Sequence, residues 1–145
     1  LQESKQDFVF KAEYGSDIAK EHEKYLTKYF DCPLFITHWP KEIKAFYMKH
    51  LEDGTVAGAD LELPGIGEVF GMSQREDDYD TLLREMENRE MKIEDYSWYL
   101  KLRKYAGVES SGFGIGFERL LMYLTGIENI KDVIAYPRSV SNCEF

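Results

Sequence analysis

The chain has 145 residues, 43% of them hydrophobic and 14% aromatic, and a formal net charge of −9. That is enough for one domain with a sizeable core, or for part of a larger one. The acidity argues against a general nucleic-acid binder, since phosphate contacts need Lys and Arg, and no apolar run is long enough to span a membrane.

Cys32 and Cys143 stand far apart, with neither a disulfide framework nor a zinc spacing, which suits a reducing, cytoplasmic setting. No basic-then-apolar leader opens the chain, so no secretory signal is expected. The first residue is Leu1 rather than methionine, so further sequence is expected upstream. Residues 1–145 show no repeat, linker or internal boundary. His22, His38 and His50 are scattered, and none opens a ligand motif.

In chain order, Ser16 can cap a helix from about Asp17 to Phe30, with Ile18, His22, Tyr25, Leu26 and Tyr29 on one face. Leu34 to Thr37 reads as a short buried strand and Lys44 to Lys49 as another. Glu52-Asp53-Gly54-Thr55 is a hairpin signal. Val56 to Leu63 is a strand, Pro64-Gly65 a turn, and Gly67 to Gln74 the returning strand. Tyr79, Leu82, Leu83 and Met86 follow helical spacing, which predicts a helix over Asp77 to Asn88. Tyr96 to Tyr105 is a second helix. A glycine-rich strand follows, then a helix from Phe117 to Thr125 with Gly126 as its stop. The hairpin and the tight return imply antiparallel pairing. The expected fold class is α+β, an antiparallel sheet flanked by helices.

The passage Gly112-Phe113-Gly114-Ile115-Gly116-Phe117-Glu118-Arg119 is the most informative. Glycine at every second strand position leaves one face as bare backbone. Such a face suits a flat ligand, or equally the close approach of another backbone. Arg119 stands at the strand-to-helix junction, where a planar cation can reach a nucleotide. The dinucleotide fingerprint is excluded by Phe117 at its sixth position, and the phosphate loop by the lack of a following Lys.

Val56 to Leu63 alternates, with Asp60 and Glu62 on one face. That face is either solvated or a divalent-metal site, since Mg²⁺ prefers one or two carboxylates plus substrate phosphates. Glu68, just across the turn, can join Asp60 at such an ion. Glu68 and Arg75 are seven apart, so a shared site needs a bulge between them, with Gly71 the best candidate. Arg75 can instead pair locally with Glu76, Asp77 or Asp78. Lys44 either snorkels at a strand edge or holds an anionic group.

Five ordered segments carry a family resemblance: Gly15-Ser16-Asp17 through Glu21-His22-Glu23, Ile43-Lys44-Ala45-Phe46-Tyr47-Met48, Asp60 through Glu68, Ser73-Gln74-Arg75-Glu76, and Gly112 through Leu121. Together they resemble the C-terminal half of the catalytic domain of class II aminoacyl-tRNA synthetases, in the subgroup charging Asp, Asn and Lys and especially its asparagine branch. The last segment is similar to the third signature motif. The tail, Asp132-Val133-Ile134 and Tyr136-Pro137-Arg138 to Glu144-Phe145, resembles the end of these enzymes. The first two signature motifs and the anticodon-binding barrel are absent from this stretch. Tyr14, Phe70, Met72 and Ala135-Tyr136 depart from the usual residues.

The resemblance implies ATP-dependent formation of an aminoacyl-adenylate, with Mg²⁺, followed by transfer to tRNA(Asn), in a cytoplasmic homodimer. By carry-over, Gly112, Gly114 and Gly116 floor the adenine, with Phe117 and Glu118 beside them. Arg119 stacks on the base and reaches the outer phosphates. Glu68 binds metal and ATP, Asp60 is a second carboxylate ligand, and Gly71 lies at the amino acid and metal. Lys44 and Arg75 belong to the amino-acid pocket. An aspartyl enzyme, an asparagine synthetase on the same scaffold, or a non-catalytic paralogue would show similar residues.

Overall fold

The computed structural model describes residues 1–143, so Glu144 and Phe145 lie outside the described residues. Four antiparallel strands form one sheet in the order β1-β2-β3-β4. They are β1 (Leu34–Pro40), β2 (Thr55–Leu63), β3 (Gly67–Gln74) and β4 (Ser111–Ile115). The helices are α1 (Lys20–Phe30), α2 (Tyr79–Asn88), α3 (Ser97–Tyr105) and α4 (Phe117–Thr125). The expected α+β class holds.

Register divides the sheet into two faces. Asp60 pairs with Gly71, which pairs with Gly114, and Gly58 pairs with Ser73, which pairs with Gly112. Cross-strand partners share a face, so these residues make the front. Leu61, Phe70 and Ile115 make one row of the rear, and Ala59, Met72 and Phe113 another. Phe70 and Phe113 stack at 5.0 Å between centroids. Phe113 is nevertheless 70% exposed, so the rear of β4 is apolar and uncovered among the described residues.

The second apolar cluster lies away from the sheet. Leu82, Met86 and Leu100 are buried between α2 and α3, with Phe46 and Tyr96 packed against them. Asp78 caps α2 by accepting from Thr81 N–H at 2.7 Å, so the helix starts at Tyr79, two residues after the expected Asp77. A 3-10 turn (Ile93–Tyr96) precedes α3. Gly126 closes α4 with φ +72°, a left-handed conformation that glycine adopts without a Cβ penalty.

Three sequence expectations are corrected. First, α1 starts at Lys20, not Asp17, and Ser16 does not cap it. Its first turn is held by His22, whose Nδ1 accepts from Ala19 N–H while Nε2 donates to Phe10 O. Second, Lys44 to Lys49 is not a strand. Only single bridges form, Met48 with Arg75 and His50 with Val56, and the Lys44 carbonyl is taken by the Arg89 side chain. Third, Asp60 and Glu62 are not on a solvated face. They are 8% and 3% exposed, since α1 packs across β2 and β3.

Candidate functional site

The front of the sheet is assembled by one irregularity. Leu61 pairs with Phe70 but Glu62 pairs with Glu68, so Val69 is an extra residue in β3. A bulge of this kind changes side-chain phase by one. It brings Glu68 onto the front with Gly71 and Ser73. The bulge is therefore at Val69 and not at Gly71, as the sequence suggested. Val69 itself is buried, 4% exposed.

The three glycines of the β4 passage differ in role. A Cβ placed on Gly112 would lie 2.6 Å from Arg75 Nη2. One placed on Gly116 would meet the Arg119 stem at 3.6 Å. At Gly114 nothing lies within 4 Å. The bare face is thus a single open position, Gly114, flanked by two arginines. Arg75 donates to Ser73 Oγ, lies 4.7 Å from the Tyr47 ring centroid, and forms no local ion pair with its acidic followers. Lys49 takes those instead, at 2.9 Å to Glu76 and in a short contact to Asp77. Arg119 donates to the backbone carbonyl of Glu68, which ties α4 to β3. Phe117 and Glu118 open α4 directly after Gly116.

Gly114 offers a clean test. Its φ is not in the left-handed region and a methyl there meets no protein atom, so Gly114→Ala is expected to leave the unfolding temperature unchanged. It should raise the ATP KM about ten-fold, since filling ligand space with one methyl costs roughly 1–3 kcal/mol. An unchanged ATP KM would refute a ligand over this glycine.

The carboxylates converge one strand over, on the same face. A Cβ on Gly71 would lie 3.3 Å from Asp60 Oδ1 and 3.4 Å from Glu68 Oε1, so both oxygens face the space left by that glycine. Gly71 itself supplies room and no side-chain donor. Asp60 Oδ2 accepts from Lys44 Nζ at 2.6 Å, and the same ammonium sits 3.9 Å from the Trp39 ring centroid. Lys44 is therefore a partner of Asp60, not a snorkelling edge residue. Among the described residues no group of three or more His, Cys, Asp or Glu could hold a metal alone. Two hard carboxylate oxygens do suit Mg²⁺, which keeps waters and substrate phosphates in its shell.

Glu23 and Glu62 crowd the same region, and sequence reasoning did not assign them to the site. Alternation had already placed Glu62 beside Asp60, but Glu23 comes from α1 and only the fold brings it near. Burial, then repulsion from Glu23, Glu68 and Asp60, pushes the Glu62 carboxyl up from 4.5 to about 7. Burial and the Glu68 charge raise Glu23 as well. Glu62 Oε2 has no hydrogen-bond partner among the described residues. The folded state thus binds this proton more tightly than the unfolded chain. The resulting stability is full below about 4.5 and is lost as pH rises through about 7. Between pH 5 and 8, without divalent cations, the wild type should lose on the order of 2 kcal/mol relative to Glu62→Gln. Urea denaturation at both pH values measures it, and equal pH slopes would contradict the assignment.

The chain as a whole, beyond this surface, resembles known proteins. The family model described as tRNA synthetases class II (D, K and N) matches residues 3–140. The chain belongs to this family. As a class II synthetase chain it is 54% identical to the asparagine–tRNA ligase of Bacillus cytotoxicus, over all of this chain and 32% of that protein. It is 52% identical to that of Desulfitobacterium hafniense over the same shares. The chain spans about a third of the length of the curated relatives it matches. Among solved structures it resembles asparaginyl-tRNA synthetase from Pyrococcus horikoshii complexed with asparaginyl-adenylate. The TM-score is 0.87 at 41% identity, over 93% of this chain and 32% of that one. The Entamoeba histolytica asparaginyl-tRNA synthetase with asparaginyl-adenylate gives 0.86 at 38%, over 92% and 31%. A putative aspartyl-tRNA synthetase from Leishmania major, at 23% identity and TM-score 0.82, shares the fold. No helix of the described part of this class II synthetase is long and apolar enough to cross a membrane.

Proposed function

We propose that residues 1–145 form the C-terminal part of the catalytic domain of an asparagine–tRNA ligase, acting as a cytoplasmic homodimer. The observation that carries this reading is the open Gly114 position between Arg75 and Arg119, on the same sheet face as the Asp60 and Glu68 oxygens at the neighbouring Gly71. It offers a flat floor, two planar cations and two hard acceptors in one space, a set suited to an amino acid and ATP held together.

In this reading the asparagine carboxylate attacks the α-phosphorus of ATP, the bond to the bridging oxygen breaks, and pyrophosphate leaves. Such transfer leaves the protein mainly positioning and charge stabilisation. Gly114 lets the adenine approach the backbone, with Gly112 and Gly116 keeping the two arginines close. Arg119 stacks on the base and reaches the outer phosphates. Arg75, held between Ser73 and Tyr47, presents its fork to the side-chain oxygen of the amino acid. Lys44 orients Asp60 and borders the same pocket. Asp60 and Glu68 would hold Mg²⁺, which when bound offsets phosphate charge. A terminal ribose hydroxyl of tRNA(Asn) then takes the aminoacyl group and AMP leaves.

The test is ATP–pyrophosphate exchange by the full-length enzyme with asparagine and aspartate side by side. Exchange with asparagine in clear preference is expected. Equal exchange with aspartate would remove asparagine from the assignment, and no exchange with either would remove the synthetase reading.

A further inference from the structure

The segment between β1 and β2 is bridged to the sheet at Met48 and His50, but the end that carries Lys44 lies before those bridges. Its shape is set from α2. Arg89, just beyond the last turn of α2, donates from Nη1 to Lys44 O at 2.8 Å and from Nη2 to Lys41 O at 2.9 Å. Its Nε donates to Glu85 Oε1 at 2.6 Å, so the carboxylate fixes the plane of the fork. The two carbonyls stand at either end of the 3-10 turn Lys41–Ile43, one on its first residue and the other on Lys44 itself. Lys44 Nζ then reaches Asp60 and the Trp39 ring. A planar fork spanning two carbonyls fixes both distance and direction, which a single ammonium cannot do.

We infer that Arg89 is a positioning residue for the amino-acid pocket, holding the Lys41–Lys44 turn so that Lys44 meets Asp60. This rests on the proposed role of Lys44. Arg89 touches neither reacting group and acts through the turn. The far end of the loop has its own anchor, since Glu76 accepts from Lys49 Nζ and His50 N–H. Loss of Arg89 therefore loosens the Lys44 end without releasing Tyr47 or Arg75.

The experiment is pyrophosphate exchange by full-length Arg89→Ala, Arg89→Lys, Lys44→Ala and the Arg89→Ala/Lys44→Ala double variant, with unfolding temperatures recorded. Arg89→Ala is expected to raise the asparagine KM about ten-fold and leave the ATP KM within about two-fold. In the Lys44→Ala background the same change should add less than about two-fold, because a coupled pair is not additive. Arg89→Lys, which keeps charge and stem and so guards against misfolding, should recover only part of the KM. An unchanged asparagine KM in both Arg89 variants, or an undiminished effect in the Lys44→Ala background, overturns the inference and leaves the proposed function standing. A normal asparagine KM in Lys44→Ala overturns the role of Lys44 and the inference with it.

Discussion

Replacing Arg119 by alanine is expected to lower pyrophosphate exchange by the full-length enzyme roughly 10²- to 10³-fold, the usual cost of removing one aimed charge-stabilising group. The side chain is exposed, and it donates to the Glu68 carbonyl. Losing a hydrogen bond of that kind costs roughly 1 kcal/mol of stability. A purely structural strut between α4 and β3 would thus give a small fall in unfolding temperature and a matching small fall in activity. A clamp on ATP gives the large kinetic loss with the same small thermal shift. Arg119→Lys separates charge from planarity and should fall between, because lysine cannot stack or fork. Near wild-type exchange in Arg119→Ala would end the ATP assignment for this face.

For Glu68→Gln, the Mg²⁺ concentration giving half-maximal exchange should rise roughly ten-fold or more, in the range seen when the ligand environment of a metal is weakened. The fold helps this test, because Arg119 uses the backbone carbonyl of Glu68 and not its carboxylate. The substitution therefore leaves the α4 tether in place. It also removes one of the charges that raise Glu62, so the local fold should be slightly stabilised near neutral pH. A Mg²⁺ titration superimposable on wild type would show that the Glu68 carboxylate is not a ligand.

Local signals were clear where local chemistry decides. The Pro64-Gly65 return and alternation gave β3 its bounds, Gly67–Gln74, and helical spacing with Gly126 gave α4 as Phe117–Thr125. Asp60, Glu68, Gly71, Arg75, Gly112, Gly114, Gly116 and Arg119 do gather on one face. What was not legible depended on distant partners. Lys44 to Lys49 carries strand-like side chains, but Arg89 claims the Lys44 carbonyl from 45 positions away and only single bridges form beyond it. The solvated reading of Asp60 and Glu62 failed because α1 covers them, and a strand pattern cannot announce what packs upon it. Treating the three glycines as one floor missed that two of them are spaces already filled by arginines.

The extra residue at Val69 also bears on how this strand can change length. On a plain strand any inserted or deleted residue turns every side chain beyond it to the opposite face, so such changes are normally ruinous. Here one surplus residue is already absorbed. Removing Val69 would let Glu68 pair opposite Glu62 in an uninterrupted ladder, with Glu68, Gly71 and Ser73 still in phase. A one-residue deletion there would keep the register of the site, though it would also remove a buried side chain and the carbonyl that accepts from Gly116 N–H, so the spacing of this site along the gene is freer than its spacing in space.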